Sequence, residues 1–163
     1  MFADEARFGR MNRPRPCWAP HGVRPQVASQ LIRECAVSPQ DGSCVYLIMP
    51  TSNTACFQSF LNVLSRRFAR QDILLVLDGA PNHRCRDLRV PDNVSLLFLP
   101  PYAPELNPKE NLWDEIREKI FKNYALKSIN AVHRKLEEAI LYIERNPKLV
   151  RSITSFPYIV KSF

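Results

Sequence analysis

Residues 73 to 78 read ILLVLD, five apolar residues in succession closed by a carboxylate. A run this short and this apolar suits a central strand covered on both faces better than a half-exposed one, which would alternate. VSLLFLP, residues 94 to 100, reads as its neighbour. Covering such strands takes helices, and their patterns are present. Phe57, Phe60, Leu61, Leu64 and Phe68 recur at helical spacing, with Arg66, Arg67 and Arg70 on the wet face, which predicts a helix of about three to four turns. Leu112, Trp113, Ile116 and Ile120 predict a second from about Pro108 to Tyr124. Val132, Leu136, Ile140 and Ile143 predict a third from about Ser128 to Glu144. Earlier in the chain LIRECAVS and SCVYLIM, joined by PQDG, read as a β-hairpin. The expected fold class is therefore α/β, a mixed sheet flanked by helices.

At 163 residues and 45% apolar content the chain suits one globular domain, residues 1–163, with a core of its own. No apolar run approaches the roughly 20 residues of a membrane span, and MFADEARFGR carries two acids where a signal peptide would be apolar. A soluble, cytoplasmic protein is expected. Cysteines at 17, 35, 44, 56 and 85 are odd in number and form no C-x-x-C pair, so neither a disulfide framework nor a zinc knuckle is indicated.

The formal charge of +7 rests on 16 Arg and 7 Lys. Arg grips phosphate through a planar fork of donors, so nucleic acid is the natural partner, against the plainer reading of a soluble basic protein. Residues 1 to 33 hold Arg7, Arg10, Arg13, Arg15, Arg24 and Arg33 against only Asp4 and Glu5. Within this end MNRPRPCWAPHGVRPQV has four prolines, which fits short edge strands and a loop. Arg7, Arg10, Arg13 and Arg15, beside Asp4, are candidates to track a DNA backbone.

Three acids fall at telling places. Asp4 closes a short apolar start, Asp78 closes the central strand, and Glu110 stands in the first turn of a helix. Sites on α/β sheets gather at the carboxyl ends of strands, and a bare carboxylate there is costly unless paired, hydrogen-bonded or bound to metal. An oxygen-rich set with no Cys cluster and only three His favours Mg²⁺ or Mn²⁺ over zinc. Each acid taken alone also has an ordinary reading. Asp78-Gly79 can simply start a turn, Asn107-Pro108-Lys109-Glu110 matches a helix capping box, and Asp4 near a terminus can be solvated.

In order and spacing, FADEARFG, LVLDGAPNH and LPPYAPELNPKENLW resemble the catalytic core of the mariner-like DDE transposases, in their bacterial insertion-sequence branch. The resemblance covers nearly the whole chain. The strand-ending Asp with His five residues on, then 31 residues to a Glu inside L-P-P-Y-x-P-x-L-N-P-x-E, is its specific part. It implies an RNase H-like fold with a central five-stranded mixed sheet. It further implies Asp4, Asp78 and Glu110 as catalytic, metal-binding acids, with His83, Asn107, Pro108 and Trp113 at supporting positions. Trp113, at an apolar helical position, reads as core rather than a platform for bases. His83 has two readings, a contact for water or phosphate beside Asp78 and a loop residue held by hydrogen bonds.

Relatives carry helix-turn-helix domains before this core, which are not expected here, and their first strand begins with several more apolar residues. Gly79 stands where many of them have Asn, and the spacing from Asp78 to Glu110 is slightly short. The implied chemistry is cleavage at transposon ends and strand transfer into target DNA. Two divalent ions roughly 3.5 to 4 Å apart would clamp the attacking and leaving oxygens, and no covalent enzyme intermediate is needed. Double-stranded DNA is the implied partner, with room for a homodimer and no membrane. Two other classes fit the same residues: another metal nuclease such as a ribonuclease or resolvase, and an inactive DNA-binding or dimerisation remnant.

Overall fold

The computed structural model describes residues 1–8, 31–101, 103–121 and 128–160. The chain opens with β1 (Phe2–Phe8), followed by β2 (Leu31–Val37) and β3 (Cys44–Met49). The three are antiparallel, and the β2–β3 pair is the expected hairpin. Its turn depends on Gly42, whose φ of +77° is a conformation that side-chain-bearing residues rarely adopt, and on Asp41, which accepts from the Ser43 N–H at 2.9 Å and its hydroxyl at 2.8 Å. Helix α1 (Thr54–Arg67) follows, capped by Asn53, whose side chain accepts from the Cys56 N–H. Then come β4 (Ile73–Leu77) and β5 (Val94–Phe98), parallel to each other, as their apolar runs require.

The sheet order is β3-β2-β1-β4-β5. Strand β4 is interior to the sheet and buried except at Leu74, which is exposed near its start, whereas β5 is an edge strand with Leu97 half exposed. β1 runs seven residues, so Asp4 lies within a strand and does not close one. The reason is the partner: β2 offers a continuous ladder opposite every residue from Phe2 to Phe8, and pairing overrides the polarity of Asp4-Glu5.

Helix α2 (Lys109–Glu115) starts where expected but widens into one π-helical turn over Ile116–Ile120, closed by the Phe121 N–H on the Ile116 carbonyl at 3.2 Å. At α-helical pitch Ile116 and Phe121 would point about 140° apart, and the wider turn lets both bury. The expected continuation to Tyr124 lies outside the described residues. α3 (Ile129–Glu144) begins at Ser128, whose hydroxyl caps the Ala131 N–H at 3.1 Å. Two short helices that the sequence pattern had not suggested, α4 (Pro147–Thr154) and α5 (Pro157–Val160), complete the fold.

Strand alternation divides the core into two halves. Phe2, Ala6, Cys35 and Val76 meet Trp113 and Ile116 on the α2 side. Ala3, Ala36, Leu75 and Leu77 meet Phe57 and Leu61 on the α1 side. Consecutive residues of β1 therefore serve opposite faces, which separates Asp4 from Glu5. Among the described residues no helix is long and apolar enough to cross a membrane, and Cys35, Cys44, Cys56 and Cys85 are free thiols.

Candidate metal centre

Phe2 of β1 is level with Val76 of the parallel β4, and continuing that register by two residues brings Asp4 level with Asp78, just beyond the end of β4. Glu110 arrives from the first turn of α2. The three acids line one open cleft of about 380 Å³. Asn107 sets this meeting. Buried between strand and helix, it donates from Nδ2 to the Ala3 carbonyl at 3.0 Å and accepts at Oδ1 from the Lys109 N–H at 3.1 Å. Its own carbonyl receives the Glu110 N–H at 3.1 Å. Among the described residues no hydrogen bond returns from the Glu110 carboxylate to the Asn107 N–H, so the reciprocal capping box is not formed and the carboxylate is left to the cleft.

Asp4 is the most constrained of the three. Trp113, wholly buried, donates from Nε1 to Asp4 Oδ2 at 2.9 Å. Burial, and then the nearby Glu110, push the Asp4 carboxyl up to about 7, against the opposing pull of Lys109 and of the Trp113 hydrogen bond. Such a donor set needs a cation to carry its full charge, and its all-oxygen character suits Mg²⁺ or Mn²⁺. Lys109 was not anticipated from the sequence. It is completely buried, with Nζ 3.4 Å above the Trp113 ring and 4.9 Å from that of Tyr46, and no acceptor reaches its ammonium. Only its place beside the motif's Pro108 could have hinted at this.

Asp78 forms the turn that its Asp-Gly pair predicts and also lines the cleft. Its Oδ1 accepts the Ala80 N–H at 3.1 Å, forming the turn, while its side chain stays largely exposed at the cleft. The same oxygen lies 2.8 Å from Nδ1 of His83. His83 is buried against the Phe57 ring at 4.2 Å, so it supports Asp78 from behind and does not face the cleft. Arg84, a further residue that the sequence reading passed over, lines the cleft with its guanidinium 4.7 Å above Phe98. Gly79 makes room for it, since a Cβ there would lie 2.7 Å from the guanidinium.

On the α1 side of the sheet Glu5 stands directly opposite Glu34. Burial would raise Glu5, but the nearby His83 and Glu34 and the hydrogen bonds from Ser52 and Asn82 outweigh it and hold the group at about 2. Glu34, almost entirely buried and beside Glu5, is pushed up to about 9. Neither acid was singled out in the sequence beyond the motif letters. Of the expected DNA-tracking residues, Arg7 belongs to β1, but its side chain and the whole of Arg10, Arg13 and Arg15 lie outside the described residues.

Residues 1–133 match the family model of the DDE superfamily endonucleases. An uncharacterized protein, y4pE/y4sA of Sinorhizobium fredii (strain NBRC 101917 / NGR234), is 40% identical over 95 residues, which are 55% of this chain and 70% of that protein. Among solved structures, the catalytic domain of Mos1 mariner transposase superposes with a TM-score of 0.63 at 17% identity, covering 94% of this chain and 78% of that one. The pre-cleavage Mos1 transpososome gives 0.62 at 17% identity, covering 94% of this chain and 53% of that one. The chain thus spans about half the length of the transposase in that complex. The mixed five-stranded sheet flanked by helices is the RNase H-like fold of these structures. With the model matching residues 1–133 of 163, this chain belongs to the DDE superfamily endonucleases.

Proposed function

We propose that this chain is the catalytic domain of a transposase that cleaves DNA at transposon ends and joins the freed 3′-hydroxyl to target DNA, with Asp4, Asp78 and Glu110 as the metal-binding acids. The observation that carries the reading is that three acids from β1, the end of β4 and the start of α2 line a single cleft, with Asp4 buried beside Glu110. It is supported by the family and by likeness to Mos1 structures described as a strand transfer complex and as paired-end complexes with Mn and with Mg.

Two divalent ions bound there would supply Lewis-acid activation of the attacking oxygen and stabilise the leaving one. The protein's own part is positioning and charge. Trp113 fixes the rotamer of Asp4, His83 and the Ala80 N–H fix that of Asp78, and Asn107 sets the entry of Glu110. Arg84 on the cleft wall offers a cation to a phosphodiester, and the Arg-rich segment around Arg7, Arg10, Arg13 and Arg15 holds duplex DNA without reading its sequence.

The test is a strand-transfer assay with pre-nicked duplex ends and supercoiled plasmid in Mg²⁺ or Mn²⁺, using protein joined to its upstream coding region where one exists. Joined products that vanish in Asp78→Asn support the proposal. Nicking without joining would indicate a different nuclease of the same fold, and neither reaction in the presence of tight DNA binding would indicate an inactive remnant. Replacing Arg10, Arg13 and Arg15 together by Ala should reduce the salt slope of binding by about 2 to 3.

A further inference from the structure

Behind the cleft, on the α1 side of the sheet, Glu5 and Glu34 are directly opposed across antiparallel strands, an arrangement a sheet tolerates only where a proton, as on the raised Glu34 carboxyl, or a cation shares the charge. Glu34 is 1% exposed, and its Oε1 has no hydrogen-bond partner. Among the described residues neither acid is paired with a Lys or Arg.

The group that does face them is His83. Its Nδ1 lies 2.8 Å from the Asp78 carboxylate, so the neutral ring that donates its one proton there presents a lone pair at Nε2 to a cation. That Nε2 is buried, has no hydrogen-bond partner, and stands 3.5 Å from Glu5 Oε1. One ligand atom from each of Glu5, Glu34 and His83 falls within 4.8 Å of the others. In a tetrahedral zinc centre with bonds of about 2.0 to 2.1 Å, neighbouring ligand atoms stand about 3.3 to 3.4 Å apart.

We propose that Glu5, Glu34 and His83 form a second cation site, distinct from the Asp4–Asp78–Glu110 cleft, that takes one Zn²⁺-class transition ion. Nitrogen in the donor set argues against Mg²⁺, which prefers oxygen, and the half-buried Glu5 leaves a side open to the fourth ligand of a zinc ion. The surroundings fit a metal-ligating histidine, whose second nitrogen is almost always held by a carboxylate or carbonyl, here Asp78. Asn82, donating to Oε1 at 2.8 Å, and Ser52, donating to Oε2, hold the Glu5 carboxylate in place. An ion at this position ties β1, β2 and the turn after β4 together and fixes the His83 ring against Asp78. The site stands independently of the reaction proposed above.

The test removes the cleft first. Protein carrying Asp4→Asn and Glu110→Gln is stripped with EDTA, dialysed against zinc, and analysed for metal content, with Co²⁺ as spectroscopic substitute. The expected result is one zinc per chain, a cobalt ligand-field spectrum without a thiolate charge-transfer band, and a Tm that rises until one equivalent is bound. Adding Glu34→Gln, which keeps the shape but removes a ligand charge, should weaken zinc binding at least tenfold. His83→Asn, made in parallel because either change alone could perturb folding, should do the same. Less than one bound zinc in the cleft-disabled protein, unchanged affinity in both added variants, or a thiolate band would each overturn the site.

Discussion

Replacing Asp4 by Asn should stabilise the domain when no metal is present, and only above acidic pH. The folded chain keeps a proton on Asp4 up to about pH 7, whereas an unfolded chain loses it near 3.8. The contribution of the protonated carboxyl is thus fully present below pH 3.8, falls as pH rises through about 7, and is flat beyond. Asn stays neutral throughout and can still accept from Trp113 Nε1. The rise from 3.8 to about 7, at about 1.4 kcal/mol per pH unit, sets an upper bound of about 4 kcal/mol on the gain at pH 8. For a domain of this size that corresponds to roughly 8 to 16 °C in Tm, and relaxation around the buried group will reduce it. Glu5, held at about 2, tilts both proteins alike over this range, whereas Glu34, raised to about 9 by burial and in part by Asp4, will be raised less in the Asn variant, a change in the same stabilising direction. The assay is thermal melting by circular dichroism in EDTA at pH 4, 6 and 8, repeated at pH 8 with millimolar Mg²⁺ or Mn²⁺. Wild type should gain stability from metal and the Asn variant should not. An Asn variant no more stable than wild type at pH 8, or equally advantaged at pH 4, would refute the electrostatic account of this centre.

Glu110→Gln should melt within about 0.5 kcal/mol of wild type, because its carboxylate makes no cap, yet lose metal-dependent DNA cleavage; retained cleavage would remove Glu110 from the acid set. Gly42→Ala should cost at least about 2 kcal/mol in denaturant melts, since it adds a left-handed penalty to a Cβ placed 2.2 Å from the Pro147 carbonyl oxygen, and a loss below 1 kcal/mol would contradict that packing. Gly79→Ala should leave stability nearly unchanged but swing Arg84 off the Phe98 ring, so its duplex affinity by fluorescence anisotropy should match that of Arg84→Ala; wild-type affinity in Gly79→Ala alone would separate the two residues.

The elements easiest to read in the sequence were those whose pattern has a single structural solution. ILLVL is too short and too apolar for much besides an interior strand, and the spacing of Phe57, Phe60, Leu61 and Leu64 fits a helix packed on one side. The motif acids were legible as a set, and the structure brings Asp4, Asp78 and Glu110 to one cleft. What escaped depends on pairing across distance. Asp4 looked like the end of a strand because nothing local announces that β2 will pair past it. Glu34 sits in LIRECAV like any outward polar residue, and only its cross-strand partner Glu5 and the overlying His83 show that this position faces the core. Lys109 reads as an exposed helix-start residue until the Trp113 and Tyr46 rings close over it. The π-turn after Glu115 likewise follows from burying Ile116 and Phe121 together, a demand of the core and not of the residues between them.

The amide of Asn107 ties a strand to a helix across 104 positions of sequence. Because Asn107 is only three residues from Glu110, the separation of the first and third acids is measured by one side chain and a single helical turn, not by the chain that runs between them. Insertions or deletions after Arg84, in the stretch that leads on to β5, would therefore leave the separation of Asp4 and Glu110 intact. A change made there in the interval between Asp78 and Glu110 is then a change in loop length that the Asn107 tie does not transmit, whereas Asn107→Leu would let the third acid drift without altering a single interval.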